Sequence, residues 1–206
     1  MHKEIADYLN QKVPGSDAKA IEAEVGDSSV LINSEHLLKA CKALKGSEEY
    51  QFNVLQVISG VDYPEGIDDQ KEGIIEVNYM IASFIKNTEV ILKVRVPRGD
   101  DDNLPKIDSV TSVWKAADWQ ERECYDLVGV DFVGHPDPRR ILNPYDWKGH
   151  PLRKDYVAQE TYQGMTVYPE DKMNLPEREF VVTQNKLNEE AKAAAKKARE
   201  ESKGDS

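Results

Sequence analysis

The chain has 206 residues and a net charge of -11, with 38 Asp and Glu against 27 Lys and Arg; that balance excludes the basic footprint of a protein that grips nucleic acid by its phosphates. Apolar residues make up 39%, enough for one modest core with extensions or for two small domains. No apolar run reaches the ~18 residues of a membrane-spanning helix, and the start, MHKEIADYLN, lacks the apolar centre of a signal peptide.

Residues 2–11 predict a short amphipathic helix through Ile5, Tyr8 and Leu9, broken by Val13-Pro14-Gly15-Ser16. Residues 20–25 and 29–32 read as short strands joined by a hairpin at Gly26-Asp27. Ser34 is placed as an N-cap for a helix over 35–45. Leu37, Leu38, Cys41 and Leu44 line its apolar face, and Gly46 stands just past its end. A strand over 52–58 follows, ended by Asp62-Tyr63-Pro64-Glu65-Gly66. Then comes the best-defined β element. Ile75, Val77, Tyr79 and Ile81 share one face of a strand, Lys86-Asn87-Thr88 turns the chain, and Val90, Leu92, Val94 and Val96 alternate against Lys93 and Arg95. This predicts an antiparallel hairpin with one face on the core and the other partly wet. Asp100-Asp101-Asp102 lacks the alternating carboxylates of a calcium loop and reads as solvated.

A helix is expected from Ser109 through Val110, Val113, Trp114 and Ala117, and a second from Asp118 to Gly129. Asp118 and Glu121 have the spacing of a capping box. From Gly129 onwards Pro and Gly forbid regular structure, yet aromatic residues argue against disorder. Between residues 135 and 156, five Lys and Arg stand against three Asp. This Arg, Trp and Tyr-rich ribbon has the composition of a binding hot spot. The chain therefore divides into an α+β domain over 1–128, an extended docking segment over 129–182, and a charged tail over 183–206. The segment carries Tyr162, Met165, Tyr168, Leu175 and Phe180 as scattered anchors. The Ala, Lys and Glu-rich tail is expected as a solvated helix or disorder.

Catalytic constellations are sparse. Cys41 and Cys124 form no CxxC pair and read as reduced thiols; a cluster would want about four thiolates. His135 and His150, each in a Gly-His-Pro turn, could join Asp137 and Asp146 at a metal. Their spacing matches no helical metal motif, and such a His more often bonds a nearby carbonyl or carboxylate. A stand-alone metal hydrolase using His135, Asp146 and His150 is the rival to a docking role. Glu121 and Glu123 project to different sides of a helix, and one of the two is expected to pair with Arg122 or Arg139.

Several runs at fixed spacing carry a family resemblance. They are Glu121-Arg122-Glu123, Tyr125-Asp126-Leu127, Gly129, Phe132, Gly134-His135-Pro136, Arg139-Arg140-Ile141-Leu142, Asp146-Trp147 and Gly149-His150-Pro151-Leu152-Arg153-Lys154-Asp155-Tyr156. They resemble the signature of the C subunit, the 30-kilodalton-type subunit, of respiratory complex I (NADH:quinone oxidoreductase). Asp62-Tyr63-Pro64, the 74–96 hairpin and Ser109-Val110-Thr111-Ser112-Val113-Trp114 follow the same order, so the resemblance spans about 52–156. Val128 departs from it, standing where an aromatic is usual, as does Val157, where a proline often follows the tyrosine. The resemblance implies an α+β fold, with a mixed, largely antiparallel sheet, helices packed on one face and an extended C-terminal segment. It implies no catalytic residue, metal or cofactor in this chain, with FMN and iron–sulfur clusters held by partner subunits. The implied partners are chiefly the quinone-site (D) subunit and the cluster-bearing (B) subunit, with the I subunit as a further neighbour. The implied place is peripheral, on the cytoplasmic face of a bacterial inner membrane. Arg139, Arg140, Trp147, His150, Arg153 and Tyr156 are the expected interface residues. Equivalent scaffold subunits of membrane-bound hydrogenases and F420H2 dehydrogenases are the alternative within this reading.

Overall fold

The structure, a computed structural model, describes residues 1–23, 26–68 and 72–167. Five strands form the principal sheet: β1 (Lys19–Ile21), β2 (Ser29–Ile32), β3 (Val54–Tyr63), β4 (Ile74–Ser83) and β5 (Thr88–Pro97), in the order β1-β2-β5-β4-β3. Only β2 and β5 run parallel; the other neighbours are antiparallel. The mixed α+β architecture is thus as the sequence predicts.

The hairpin of β4 and β5 is the spine. Ile75, Val77, Tyr79 and Ile81 pair with Val96, Val94, Leu92 and Val90, and all eight are buried. The period of two turns these eight to one face. The same apolar cluster takes Ile5 and Leu9 from α1 (His2–Lys12), Leu37, Ala40, Cys41 and Leu44 from α2 (Leu37–Gly46), and Ala117, Cys124 and Val128 from α3 (Ala117–Val128). Each large side chain buried there contributes about 1.5–3 kcal/mol. The opposite face carries a buried carboxylate, Glu76, which accepts from Lys93 Nζ at 3.0 Å and Arg95 Nε at 2.9 Å.

Several elements depart from expectation. β3 runs on past Ile58 to Tyr63 because β4 offers it a hydrogen-bonding partner along that whole length. Gly60 lies opposite Val77 on the core face, and a Cβ there would meet Cys124 Sγ at 2.8 Å. The bare backbone is what lets α3 cross β3 so closely. The cap before α2 is Asn33, not Ser34: its side chain accepts from the Glu35 N–H and opens a short 3-10 turn, Ser34–His36, so that the α-helix begins at Leu37 and ends at Gly46.

The helix expected from Ser109 is absent. The chain there continues from β6 (Lys106–Asp108), which pairs in parallel with β7 (Asp131–Val133). Ser109 N–H extends that pairing to Val133 O, and turns then lead into α3. The capping box is also absent. α3 starts at Ala117 with no side-chain cap, because Glu121 turns inward and accepts from the Val110 N–H at 2.7 Å. Gly129 does end α3 in the left-handed conformation, as predicted.

Residues 158–167 belong to a second unit. Within it, Thr161–Tyr162 (β8) and Met165–Thr166 (β9) make a small antiparallel hairpin. Gln163 and Gly164 turn it with positive φ, which replaces the irregular strap expected at that point. Tyr168, Leu175, Phe180 and the 183–206 tail lie outside the described residues.

Candidate docking site

The ribbon behind α3 is held by polar anchors more than by apolar packing, and Asp126 is the first of them. The residue is fully buried on α3. Its Oδ2 accepts from the N–H groups of Ile141, Leu142 and Asn143 at 3.1, 2.7 and 2.8 Å. Its Oδ1 accepts from Arg140 Nη1 at 2.8 Å and Asn143 Nδ2 at 2.9 Å. Burial would raise its pKa, but the Asn143 amides, Arg140 and the Leu142 N–H outweigh burial and hold the carboxyl down at about 2. Three successive backbone amides converging on one carboxylate fix the local chain direction without any regular secondary structure.

Arg140 does not face outward. Besides Asp126 Oδ1 it donates to the carbonyls of Asp126 and Gly149, and it lies 5.9 Å from the Tyr125 ring. His150 is buried and its Nδ1 lies 3.0 Å from the Asp126 carbonyl. Its ring sits directly over Gly129, where a Cβ would come within 2.5 Å of it. Gly129 therefore serves twice, adopting φ +79° at the helix end and leaving room for the imidazole. Burial pulls the His150 pKa below 6.5. Arg153, also buried, donates from Nε to Val128 O at 2.9 Å and from Nη2 to Gly129 O at 3.1 Å. It thus satisfies two carbonyls at the negative end of α3.

A second anchor ties the ribbon's far end to the sheet. Buried Asp62 on β3 takes both arms of Arg98, Nε at 2.6 Å and Nη2 at 2.9 Å, and the Lys154 N–H at 2.8 Å. Arg98 also grips Asp155, with Nη1 at 2.9 Å. Burial opposes ionisation of Asp62, yet the Arg98 fork and the Lys154 N–H keep its pKa below the ordinary range. Between the anchors, Trp147 Nε1 donates to Tyr156 Oη at 3.0 Å. Arg139 is exposed and forks onto Asp137 at 2.6 and 2.7 Å.

The expected contact residues thus divide. Arg140, His150 and Arg153 hold the ribbon to its own domain; Arg139 is exposed, and Trp147 and Tyr156 are partly so. The apolar side chains turned to solvent are Leu142, Tyr145, Leu152 and Val157, at 62%, 92%, 55% and 85% exposure. Sequence reading overlooked them, and it overlooked Asp62, Arg98 and Asp126 as anchors. One signal was available: three N–H donors after a Pro-Arg-Arg run need an acceptor, and a carboxylate in the middle of an adjoining helix is a natural one.

The expected Glu–Arg pair does not form at Glu121, whose partners are Val110 and the neighbourhood of His135; Arg122 and Arg139 both approach Asp137 instead. Both histidines of the rival metal reading bond carbonyls, His135 that of Asp118 and His150 that of Asp126. Among the described residues no three His, Cys, Asp or Glu side chains gather in a way that could hold a metal ion, and no helix is long and apolar enough to cross a membrane.

Comparison with known proteins agrees with the ribbon's signature. Residues 30–162 match the family described as respiratory-chain NADH dehydrogenase, 30 Kd subunit. The C subunit of NADH-quinone oxidoreductase from Chlorobium phaeobacteroides is 45% identical over 124 residues, spanning 60% of this chain and 69% of that protein. The J subunit of NAD(P)H-quinone oxidoreductase from Prochlorococcus marinus is 39% identical over 165 residues, spanning 80% and 91%. A chain of the membrane-bound sulfane sulfur reductase, an archaeal respiratory membrane complex, shares the fold with a TM-score of 0.58 and 24% identity, over 84% of this chain and 97% of that one. With most of its folded domain and the whole anchored ribbon inside the match, the chain belongs to the family of the 30-kilodalton subunit of respiratory NADH dehydrogenase.

Proposed function

We propose that this subunit scaffolds the quinone-reducing module in the peripheral arm of a proton-translocating NADH:quinone oxidoreductase. In that complex electrons pass from NADH through FMN and iron–sulfur centres to quinone. The chain's own contribution is mechanical: it contacts the quinone-site (D), cluster-bearing (B) and I subunits, and it binds no flavin, cluster or quinone itself. The complex holds it peripherally at the cytoplasmic face of the inner membrane.

The observation that supports this most is the orientation of the ribbon. Arg140 and Arg153 are spent on internal anchors, while Leu142, Tyr145, Leu152 and Val157 face solvent. Apolar side chains on a pre-fixed loop lose little entropy on docking. A Tyr145→Asp variant, assembled in the complete enzyme, tests it. Assembled complex and quinone reductase activity should fall together, with the melting temperature of the isolated chain unchanged, because Tyr145 is 92% exposed. Full assembly with lost turnover would refute a docking role and point to direct chemistry.

A further inference from the structure

Glu121 is the buried charge that a docking role leaves unexplained. Its side chain is 0% exposed. Oε1 accepts the Val110 N–H, but Oε2 has no hydrogen-bond partner. The ionisable nitrogen that comes nearest to pairing with Oε2 is His135 Nε2, at 3.9 Å, beyond bonding distance. That nitrogen is 3.0 Å from the Asp118 carbonyl oxygen. The other ring nitrogen, Nδ1, accepts the Asp137 N–H at 3.0 Å. Both ring nitrogens of His135 are thus engaged elsewhere, and neither bonds Oε2.

Among the described residues no lysine or arginine forms an ion pair with Glu121. From α3 come Asp118 and Cys124, from α2 Cys41, from β4 Tyr79, and from the loop before α3 the Ser109 hydroxyl. Asp118 repels a Glu121 charge, and that charge in turn raises the pKa of Tyr79 and of both thiols. Tyr79 Oη is also buried without a partner. A bare carboxylate in such a place is strongly disfavoured unless it is neutralised.

We infer that Glu121 is a proton-binding site of the folded subunit: buried, and with no group bonded to Oε2, the carboxyl itself carries the hydrogen there. Its release leaves an uncompensated charge between α3 and the His135 turn that begins the ribbon. Burial is the main cause, reinforced by Asp118 and opposed by Ser109 and Val110, and the resulting pKa is about 7. The site therefore changes charge within the physiological range. This inference stands on the geometry around Glu121 and holds whether or not the docking proposal does.

The Val110 amide reports directly on it, because that N–H donates to Oε1. In the full chain, labelled with nitrogen-15, the Val110 amide shift should titrate with a midpoint near 7. A midpoint in the ordinary carboxylate range near 4.5, or a shift indifferent to pH, overturns the inference. Glu121→Gln keeps the shape and removes the proton. Relative to it, the wild-type folding equilibrium should weaken about 200-fold between pH 4 and 8, the ratio produced across that window by a carboxyl pKa moved from 4.5 to about 7. Parallel pH profiles for the two proteins would also overturn it. If Glu121→Gln does not fold, the wild-type Val110 titration decides alone.

Discussion

Asp126→Asn replaces the ribbon's main anchor by its uncharged isostere. The carboxylate accepts five hydrogen bonds, three from consecutive backbone amides and two from side chains. Its pKa falls from 3.8 to about 2 on folding, and each unit is worth about 1.36 kcal/mol, so ionisation contributes about 2.5 kcal/mol. Asparagine keeps one acceptor oxygen and puts an NH2 in place of the other. That NH2 must face either the three amides or Arg140, and donors left unpaired cost about 1–3 kcal/mol more. The expected loss is about 3.5–5.5 kcal/mol. Arg140→Ala should cost less, about 1–2 kcal/mol, since Asp126 keeps its amide donors and water can reach the carbonyls that Arg140 leaves. Urea unfolding of the full chain measures both, and hydrogen exchange at Ile141, Leu142 and Asn143 localises the damage. The pH test has a definite sign. A depressed carboxyl stabilises the fold above its unfolded pKa of 3.8 and stops doing so as pH drops through about 2. That slope should vanish in Asp126→Asn. A larger loss from Arg140→Ala than from Asp126→Asn would refute the assignment of the anchor.

Two further outcomes are specific to the turn at the end of α3. Gly129→Ala should cost about 2–4 kcal/mol, the left-handed penalty plus displacement of the His150 ring, whereas Gly134→Ala, also at positive φ but with nothing within 4 Å, should lose only about 1–2 kcal/mol by the same unfolding assay. Near-equal losses would mean that the ring is not packed on Gly129. The pH profile of His150 should oppose that of Glu121. A buried imidazole with a lowered pKa favours its neutral form, so stability falls as pH drops below 6.5, while a raised carboxyl adds stability as pH drops from about 7 towards 4.5. In Glu121→Gln only the His150 slope remains, so the urea midpoint should fall on acidification from pH 6.5; a midpoint that rises there would refute the His150 assignment.

What could be read from sequence alone was what repeats. The alternation of Ile75, Val77, Tyr79 and Ile81 against Val90, Leu92, Val94 and Val96 gave the central hairpin and its buried face, because burial imposes period two. The helical spacing around Cys41 gave α2 for the same reason. The false helix at 109–117 shows where periodicity misleads. Val110, Val113, Trp114 and Ala117 are all buried, so their spacing was a true burial signal, but a chain of turns can satisfy it as well as a helix. There the Ser109 N–H continues the pairing with β7 at Val133 O and the Val110 N–H goes to Glu121. Asp118 and Glu121 misled in the same way: their spacing fits a capping box, yet the core claimed Glu121. Asp62 and Arg98 were illegible as anchors because their partners lie 36 to 92 residues away, and no local pattern marks such pairs.

The same distances explain why the ribbon is built from charges. A segment with this much Pro and Gly has few backbone ladders to hold it, and small apolar contacts would let it slide. A carboxylate that needs three particular amides, and an arginine that caps two particular carbonyls, are satisfied in one register only. Each such group, once desolvated, makes alternative registers costly, because it would be left buried and unpaired. The anchors therefore contribute less to net stability than to uniqueness. Uniqueness is what a docking surface needs, since Leu142, Tyr145 and Leu152 can meet a neighbour in a fixed arrangement only if the backbone beneath them has no second choice. On this reasoning, losing an anchor should impair assembly before it unfolds the sheet domain, whose core of paired strands and three helices does not include the ribbon.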